Sequence, residues 1–439
     1  MRFFLPESND LVDPGFDFLN DRYSIEPAQL RQDVYAHEIF PHPPFDGLLV
    51  SKSNVPADLE PEIVTAGGIH RYLRLPSSYP ILGDCGAFQF IQAEVPPYTC
   101  EQIYDYYRNL GFDYGITLDH VIVDFDEAYD QTGSMFPRQP TEDMRRRFRI
   151  SLDNAREMLR LVKEKGAGFQ PIGSAQGWSP LSYREAVQEL IEIGYTYIAI
   201  GGVAKAKDSV IQSVLSAVRD LVQNTEIKLH VLGVARFSLL KDYARTNVVS
   251  CDSAATLMQA FKSTRANYHV PDGQHYTCLR VPPIAGETSL GSSPKVGKIL
   301  KPMAEALKTT KRQLARDPEN QELQRFCQEQ QEALDQQLCH LRSLEQKALV
   351  SIRGYARGRL PVETAMADLV AYEDLFEDSP ALHEEYLRTL KDKPWEHCPC
   401  AICRQLGVEV VIMRGNNRNR RRGFHNTYVF YQKFRALVS

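Results

Sequence analysis

Two acids stand where chemistry is done in a repeating β/α chain. Asp252 closes the run Asn247-Val248-Val249-Ser250-Cys251, and a helix-like segment from Thr256 to Phe261 follows at once. Asp84 closes Pro80-Ile81-Leu82-Gly83 far upstream. A β-branched or apolar run that ends in an acid and passes into a helix puts that acid at the carboxyl end of a strand, facing the pocket there. Two carboxylates on one such rim can serve as a nucleophile and a general acid/base.

A second constellation is expected to bind metal. Cys398-Pro399-Cys400-Ala401-Ile402-Cys403 packs three thiols into six residues. That spacing is awkward for disulfides and suits one tetrahedral ion, for which thiolates favour Zn2+. His425, with a helix-like segment behind it, is the expected fourth ligand; His397 is too close to Cys398 to complete a tetrahedron. With all four positions filled by protein the zinc is structural. A redox cysteine pair is the alternative, but no thioredoxin-like context surrounds it. The odd total of nine cysteines, without a secretion signal, points to a reducing cytoplasm.

Between these ligands run Arg414, Arg418, Arg420, Arg421 and Arg422, five arginines in nine residues. They read as an exposed loop that meets phosphates. The chain as a whole carries a net charge of −5, so any nucleic-acid surface must be a local patch.

The elements that must hold these residues follow from the alternation between Pro80 and Phe261. Strand-like runs at 80–83, 115–118, 169–173, 197–200, 229–232 and 248–251 alternate with helical stretches at 99–110, 141–165, 181–193, 208–223 and 237–244. Such repeats predict a parallel sheet with crossover helices. With no Gly-x-Gly-x-x-Gly turn after the first strand, a (β/α)8 TIM barrel is favoured over a dinucleotide-binding sheet. Each run is followed by a polar or glycine residue: Asp84, Asp119, Gln176, Gly201-Gly202, Gly233 and Asp252. The last two strands are expected at 276–282 and 408–413. Residues 1–75, rich in Pro and Asp, read as an irregular N-terminal segment. The barrel is therefore assigned to 76–287 with 405–439.

Residues 288–380 change in character. A Lys-, Glu- and Gln-rich stretch carries apolar residues at helical spacing, is broken by Asp317-Pro318-Glu319-Asn320, and resumes from Gln321 to Leu349. It predicts an antiparallel helix pair with a third helix at 361–376, inserted into the barrel chain. A small zinc-binding subdomain is expected at 395–428. No apolar run approaches a membrane span, and the N-terminus lacks a signal peptide.

Taken in order, these motifs resemble the tRNA-guanine transglycosylase superfamily. Gly83-Asp84-Cys85-Gly86-Ala87-Phe88-Gln89 is similar to its Asp-Ser-Gly-Gly-Phe-Gln stretch. Leu118-Asp119-His120 stands where the family has its base-reading acid. Ser174-Ala175-Gln176-Gly177, Ile200-Gly201-Gly202-Val203-Ala204 and Leu232-Gly233-Val234 resemble its Val-Gln-Gly, Ile-Gly-Gly-Leu-Ala and Met-Gly-Val segments. Cys251-Asp252-Ser253-Ala254 resembles its nucleophile motif, and Cys398, Cys400, Cys403 and His425 its zinc motif.

The departures resemble one branch. Cys85 replaces Ser, Ala87 replaces Gly, Asp119-His120 replaces Asp-Glu-Cys, the insertion is long, and the RNA-binding domain of archaeal members is absent. These features are similar to the divergent members that place 7-deazaguanine bases, of the 7-cyano-7-deazaguanine (preQ0) type, into DNA.

The resemblance implies a pentosyltransferase. Asp252 would be the nucleophile and Asp84 the acid/base. Asp119, Gln176, Gly201, Gly202, Gly233, Cys85 and Phe88 would bind the base. The implied partners are DNA and the deazaguanine, together with other DNA-modification proteins that open the duplex. Modification of tRNA is the alternative substrate. A non-catalytic nucleic-acid-binding subunit is the alternative class, and two rim acids also suit an unrelated barrel glycosidase.

Overall fold

The computed structural model describes residues 1–25, 32–131, 138–284, 294–376 and 379–438. The expected start of the insertion, near 288, lies outside them. Eight parallel strands close into a barrel: β1 Arg2–Pro6, β2 Gly47–Ser51, β3 Ile81–Asp84, β4 Tyr114–Ile116, β5 Gln170–Ala175, β6 Tyr197–Ile200, β7 Lys228–Val231 and β8 Val248–Asp252. Closure falls on β1, where Phe4 pairs with Gly47 of β2 on one side and with Asp252 of β8 on the other.

That closure corrects the strand count. The two missing strands come from the N-terminal stretch expected to be irregular, as the short runs Phe3-Phe4-Leu5 and Leu48-Leu49-Val50. A barrel strand buried on both faces shows an apolar run of a few residues and no alternation, so Pro-rich flanks hide it. The segments expected to supply the last strands instead pair with each other. β11 Leu279–Arg280 lies parallel to β12 Ile412–Met413 in a separate two-stranded sheet. A small ribbon, β9 Tyr268–His269 with β10 His275–Tyr276, precedes it.

The crossover helices follow the expected order: α1 Cys100–Leu110, α2 Glu142–Lys165, α3 Pro180–Ile193, α4 Asp208–Val222 and α5 Leu240–Arg245, with α6 Ala255–Lys262 after the last strand. Hydroxyl caps start three of them. Thr99, Thr141 and Ser179 accept from the backbone amides of Gln102, Met144 and Ser182, each worth about 1 kcal/mol. The interior is packed by Phe4, Leu49, Leu82, Ile116, Ile172, Tyr197 and Ala199, drawn from the first six strands. Burying a large apolar side chain contributes roughly 1.5–3 kcal/mol, so this plug fixes the strand ends that carry polar residues.

The chain forms two compact units. The first, residues 1–10, 41–255 and 431–439, is the barrel. In it Phe3 packs on Tyr431 and Phe434, with ring centroids 6.4 and 5.9 Å away. The second comprises 11–40 and 256–430. It holds the predicted helix pair, α7 Pro294–Leu314 and α8 Gln321–Ala356, broken at 317–320 as the sequence indicated, then α9 Val362–Glu373 and α10 Pro380–Asp392. The short helix α11 Ala401–Leu406 follows, and α12 Asn416–Val438 ends the chain.

Candidate active site and metal centre

Asp84, Asp119 and Asp252 gather at the carboxyl ends of the barrel strands. Asp84 is the last residue of β3 and Asp252 the last of β8; Asp119 follows β4. Burial pushes the Asp84 carboxyl up to about 6, and the neighbouring charges of Asp119 and, more weakly, Asp252 push the same way. Two donors oppose them on Oδ2: the Ser51 hydroxyl at 2.8 Å and the Gly86 amide at 2.9 Å. Asp84 thus sits among other acids with its carboxyl raised toward neutrality, as a proton shuttle requires.

Asp252 is held differently. The Gly233 amide donates to Oδ1 at 2.9 Å, and His230 Nε2 lies 3.0 Å from the same oxygen. Oδ2 accepts no hydrogen bond among the described residues. His230 Nδ1 lies 2.6 Å from Ser250 Oγ, which also contacts the Tyr197 hydroxyl. The directions are determined by the carboxylate end. Nε2 must carry the proton that meets Oδ1, so in a neutral ring Nδ1 accepts from Ser250, and Ser250 accepts from Tyr197. Burial holds the Tyr197 phenol up at about 12, in keeping with a donor. Sequence reasoning missed His230, Ser250 and Tyr197. The available signal was a buried histidine and a serine breaking apolar runs two residues before Leu232 and Asp252.

Asp119 is the most heavily bonded of the three. Cys85 Sγ donates to Oδ1 at 3.2 Å, while Ser174 Oγ and Gln176 Nε2 donate to Oδ2 at 2.6 and 2.5 Å. Burial raises the Cys85 thiol well above its usual range, so it stays a donor and is spent on Asp119. Gln176 can reach Asp119 because position 201 has no side chain: a Cβ on Gly201 would lie 2.1 Å from Gln176 Nε2. Gly202 adopts φ +75°, and Tyr183 donates to the Gly201 carbonyl at 2.7 Å. Phe88, in the turn after β3, is 45% exposed. His120, beside Asp119, is used structurally, with Nε2 on the Ala93 carbonyl and Nδ1 on Arg147, both at 3.0 Å.

In the second unit, Cys398, Cys400, Cys403 and His425 are all buried with their ligand atoms within 4.8 Å of one another. The three sulfurs lie 3.7, 3.4 and 3.3 Å from His425 Nδ1. His425 Nε2 is 2.8 Å from the His269 carbonyl. That bond places the ring proton on Nε2 and leaves the Nδ1 lone pair facing the sulfurs, the tautomer a metal needs. Cys400 Sγ caps α11 by accepting the Cys403 amide. The set fits a tetrahedral cation, as the spacing predicted.

The arginines do not form the expected loop. Arg418, Arg420, Arg421 and Arg422 lie in α12, with Arg414 just before it. Arg418, Arg421 and Arg422 are 1%, 2% and 0% exposed. Arg414 bonds the Val281 carbonyl and Glu345, Arg418 bonds Glu409 and Asp21, Arg421 the Asp13 carbonyl, and Arg422 the Ala260 carbonyl. Arg420 donates to the Leu11 carbonyl at 2.8 Å. The physical reason is periodicity: 418, 421, 422 and 425 fall on one helix face, and the buried His425 turns that face inward. Arg414, Arg418, Arg421 and Arg422, all buried, knit the second unit together and are not presented to phosphate.

No family model matches the sequence. The chain is 34% identical over 451 residues, spanning 100% of this chain and 98% of the relative, to a Salmonella montevideo protein described as a DNA-guanine transglycosylase. The full-length correspondence adds to the barrel and its rim of acids, and on that ground the chain belongs to the DNA-guanine transglycosylase branch of the tRNA-guanine transglycosylase superfamily.

Proposed function

We propose that this guanine transglycosylase exchanges guanine in DNA for a 7-deazaguanine base of the preQ0 type, through a covalent glycosyl intermediate on Asp252. The observation that carries the reading is the contrast between two neighbouring acids at the strand ends. Asp84 holds its proton up to about pH 6, and Asp252 has one oxygen fixed by two donors and the other open. Environments that separate two carboxylates in this way assign them different roles.

In the first step Asp252 Oδ2 attacks C1′ as the C1′–N9 bond breaks, and the Asp84 proton passes to the departing guanine. In the second step the incoming base gives its N9 proton to Asp84 and attacks C1′, breaking the ester bond and restoring Asp252. Asp119 reads the N1 and N2 hydrogens. Gln176 and the Gly202 amide would bind O6 or the region of the 7-substituent, and the exposed Phe88 would border the base. The target nucleotide must leave its stack, which costs a few kcal/mol in a duplex. Cys398, Cys400, Cys403 and His425 would hold a zinc ion, which supplies a cross-link between the 398–403 turn and α12.

The DNA assignment rests on the full-length relative; tRNA is the second reading. The test is to incubate the protein with radiolabelled preQ0 and either DNA or tRNA, and to follow incorporation. Asp252→Asn should abolish both incorporation and a denaturation-resistant adduct while DNA binding persists. Incorporation into tRNA alone would overturn the DNA reading, and exchange by Asp252→Asn would remove that residue from the nucleophile role.

A further inference from the structure

If the arginine cluster is spent internally, an acidic protein that acts on a polyanion must carry its phosphate-binding charge elsewhere. Helix α7 is the strongest candidate. It contains Lys295, Lys298, Lys301, Lys308, Lys311 and Arg312 against a single acid, Glu305. All six cations are exposed. Val296, Leu300, Leu307 and Thr310 are buried on its other side. At 3.6 residues per turn, Lys298, Lys301, Lys308 and Arg312 fall within an arc of about 80°, turned away from that buried face, and span about 21 Å. Successive phosphates of one DNA strand rise about 3.4 Å, so the stripe matches roughly six of them.

Lys295 donates to the Asp374 carbonyl at 2.8 Å, but the four charges of the stripe are unanswered. Arg146, Arg149, Arg156 and Arg160 of α2 are all ion-paired to carboxylates. On α7, none of Lys298, Lys301, Lys308 or Arg312 has an ion pair among the described residues, and Lys311 reaches only the amide oxygen of Gln331. Glu305 falls in the same arc, between Lys301 and Lys308, so the stripe carries a net charge of about +3; the like pairs Lys298–Lys301 and Lys308–Arg312, at i+3 and i+4, still oppose one another and are relieved by an external polyanion. Lys301, Lys308, Lys311 and Arg312, with Glu305 among them, also line an open groove of about 730 Å³.

We propose that the Lys298–Arg312 stripe of α7 docks the phosphate backbone of duplex DNA; the proposal rests on the DNA reading above. The four-fold variant Lys298→Gln, Lys301→Gln, Lys308→Gln, Arg312→Gln keeps helix propensity. Its binding to a fluorescein-labelled duplex should weaken at least about tenfold, and the slope of log K against log salt should fall by about 3–4, one counterion set per lost contact. The control variant Arg149→Gln, Arg156→Gln, Arg160→Gln should change neither. Circular dichroism verifies that both stay folded. Duplex binding by the wild type that the α7 variant retains, with the same salt slope, overturns the stripe and leaves the DNA reading standing. A wild type that binds and modifies tRNA but not the duplex overturns both.

Discussion

His230 Nε2 lies 3.0 Å from Asp252 Oδ1, the same oxygen that the Gly233 amide holds. The imidazole is fully buried and is itself fixed from behind by Ser250. Two donors on one oxygen set the rotation of the carboxylate and leave Oδ2 open. Loss of one donor loosens that aim, and a misplacement of about 1 Å costs about 10²-fold in rate. His230→Phe should therefore lower kcat for base exchange by about 10²-fold, with KM for DNA little changed. His230→Gln, which retains an N–H, should recover part of the loss. Equal kcat in wild type and His230→Phe would remove the positioning role.

Asp84 sets a pH dependence whose sign follows from its raised pKa. The carboxyl titrates at about 6 in the folded protein against 3.8 ordinarily. Formation of the covalent adduct needs the protonated form, so kcat/KM for guanine release should fall as pH rises through about 6. The same shift acts on stability. The folded state pays to ionise Asp84, so the penalty is absent below 3.8, grows between 3.8 and about 6, and is complete above. Asp84→Asn should melt higher than wild type at pH 8, by no more than about 3 kcal/mol in stability, and equal it near pH 3.5. A wild type and variant with the same difference at both pH values would show that Asp84 is not so shifted.

Gly201 makes a separate test of base reading. A Cβ there would lie 2.1 Å from Gln176 Nε2 and 3.4 Å from Asp119 Oδ2. Gly201→Ala must push Gln176 off Asp119 while leaving Asp84 and Asp252 in place. The expected result is a KM for the incoming base raised about tenfold, the loss of about one charge-assisted hydrogen bond, with the pH midpoint of guanine release unchanged. An unaltered KM would show that the Gln176–Asp119 bond does not shape the base pocket.

What could be read from sequence, and what could not, follows from how each residue is constrained. Asp84, Asp119, Gln176 and Asp252 were visible because each ends an apolar run, and a strand end marks the pocket of this fold whatever the loops do. The strands β1 and β2 were not, because Phe3-Phe4-Leu5 and Leu48-Leu49-Val50 are too short to show a period. His230 sits inside a strand, where a lone polar residue on an apolar run carries no mark of its partner. The arginines were misplaced because charge density alone does not report direction. Arg418, Arg421 and Arg422 share a helix face with His425, and only the burial of that histidine reveals which way the face turns.

The metal centre yields the last prediction. His425 Nε2 is tied to the His269 carbonyl, so in the neutral ring Nδ1 carries the lone pair, and three sulfurs converge on it within 3.7 Å. With a cation bound, each of these four groups becomes a ligand. Elemental analysis should find one zinc per chain, and Cys400→Ser should lose it. Cys400 also caps α11, so its replacement weakens both the site and the helix start. A loss of about 3–4 kcal/mol, at roughly 3 °C per kcal/mol for a chain of this size, lowers Tm by about 10 °C. Because all four ligand positions come from protein, no open position is left for water or substrate. The pH midpoint of guanine release, set by Asp84, should therefore be the same in Cys400→Ser below its melting temperature. A midpoint that moves with the metal would show that the ion acts on the chemistry and is more than a brace.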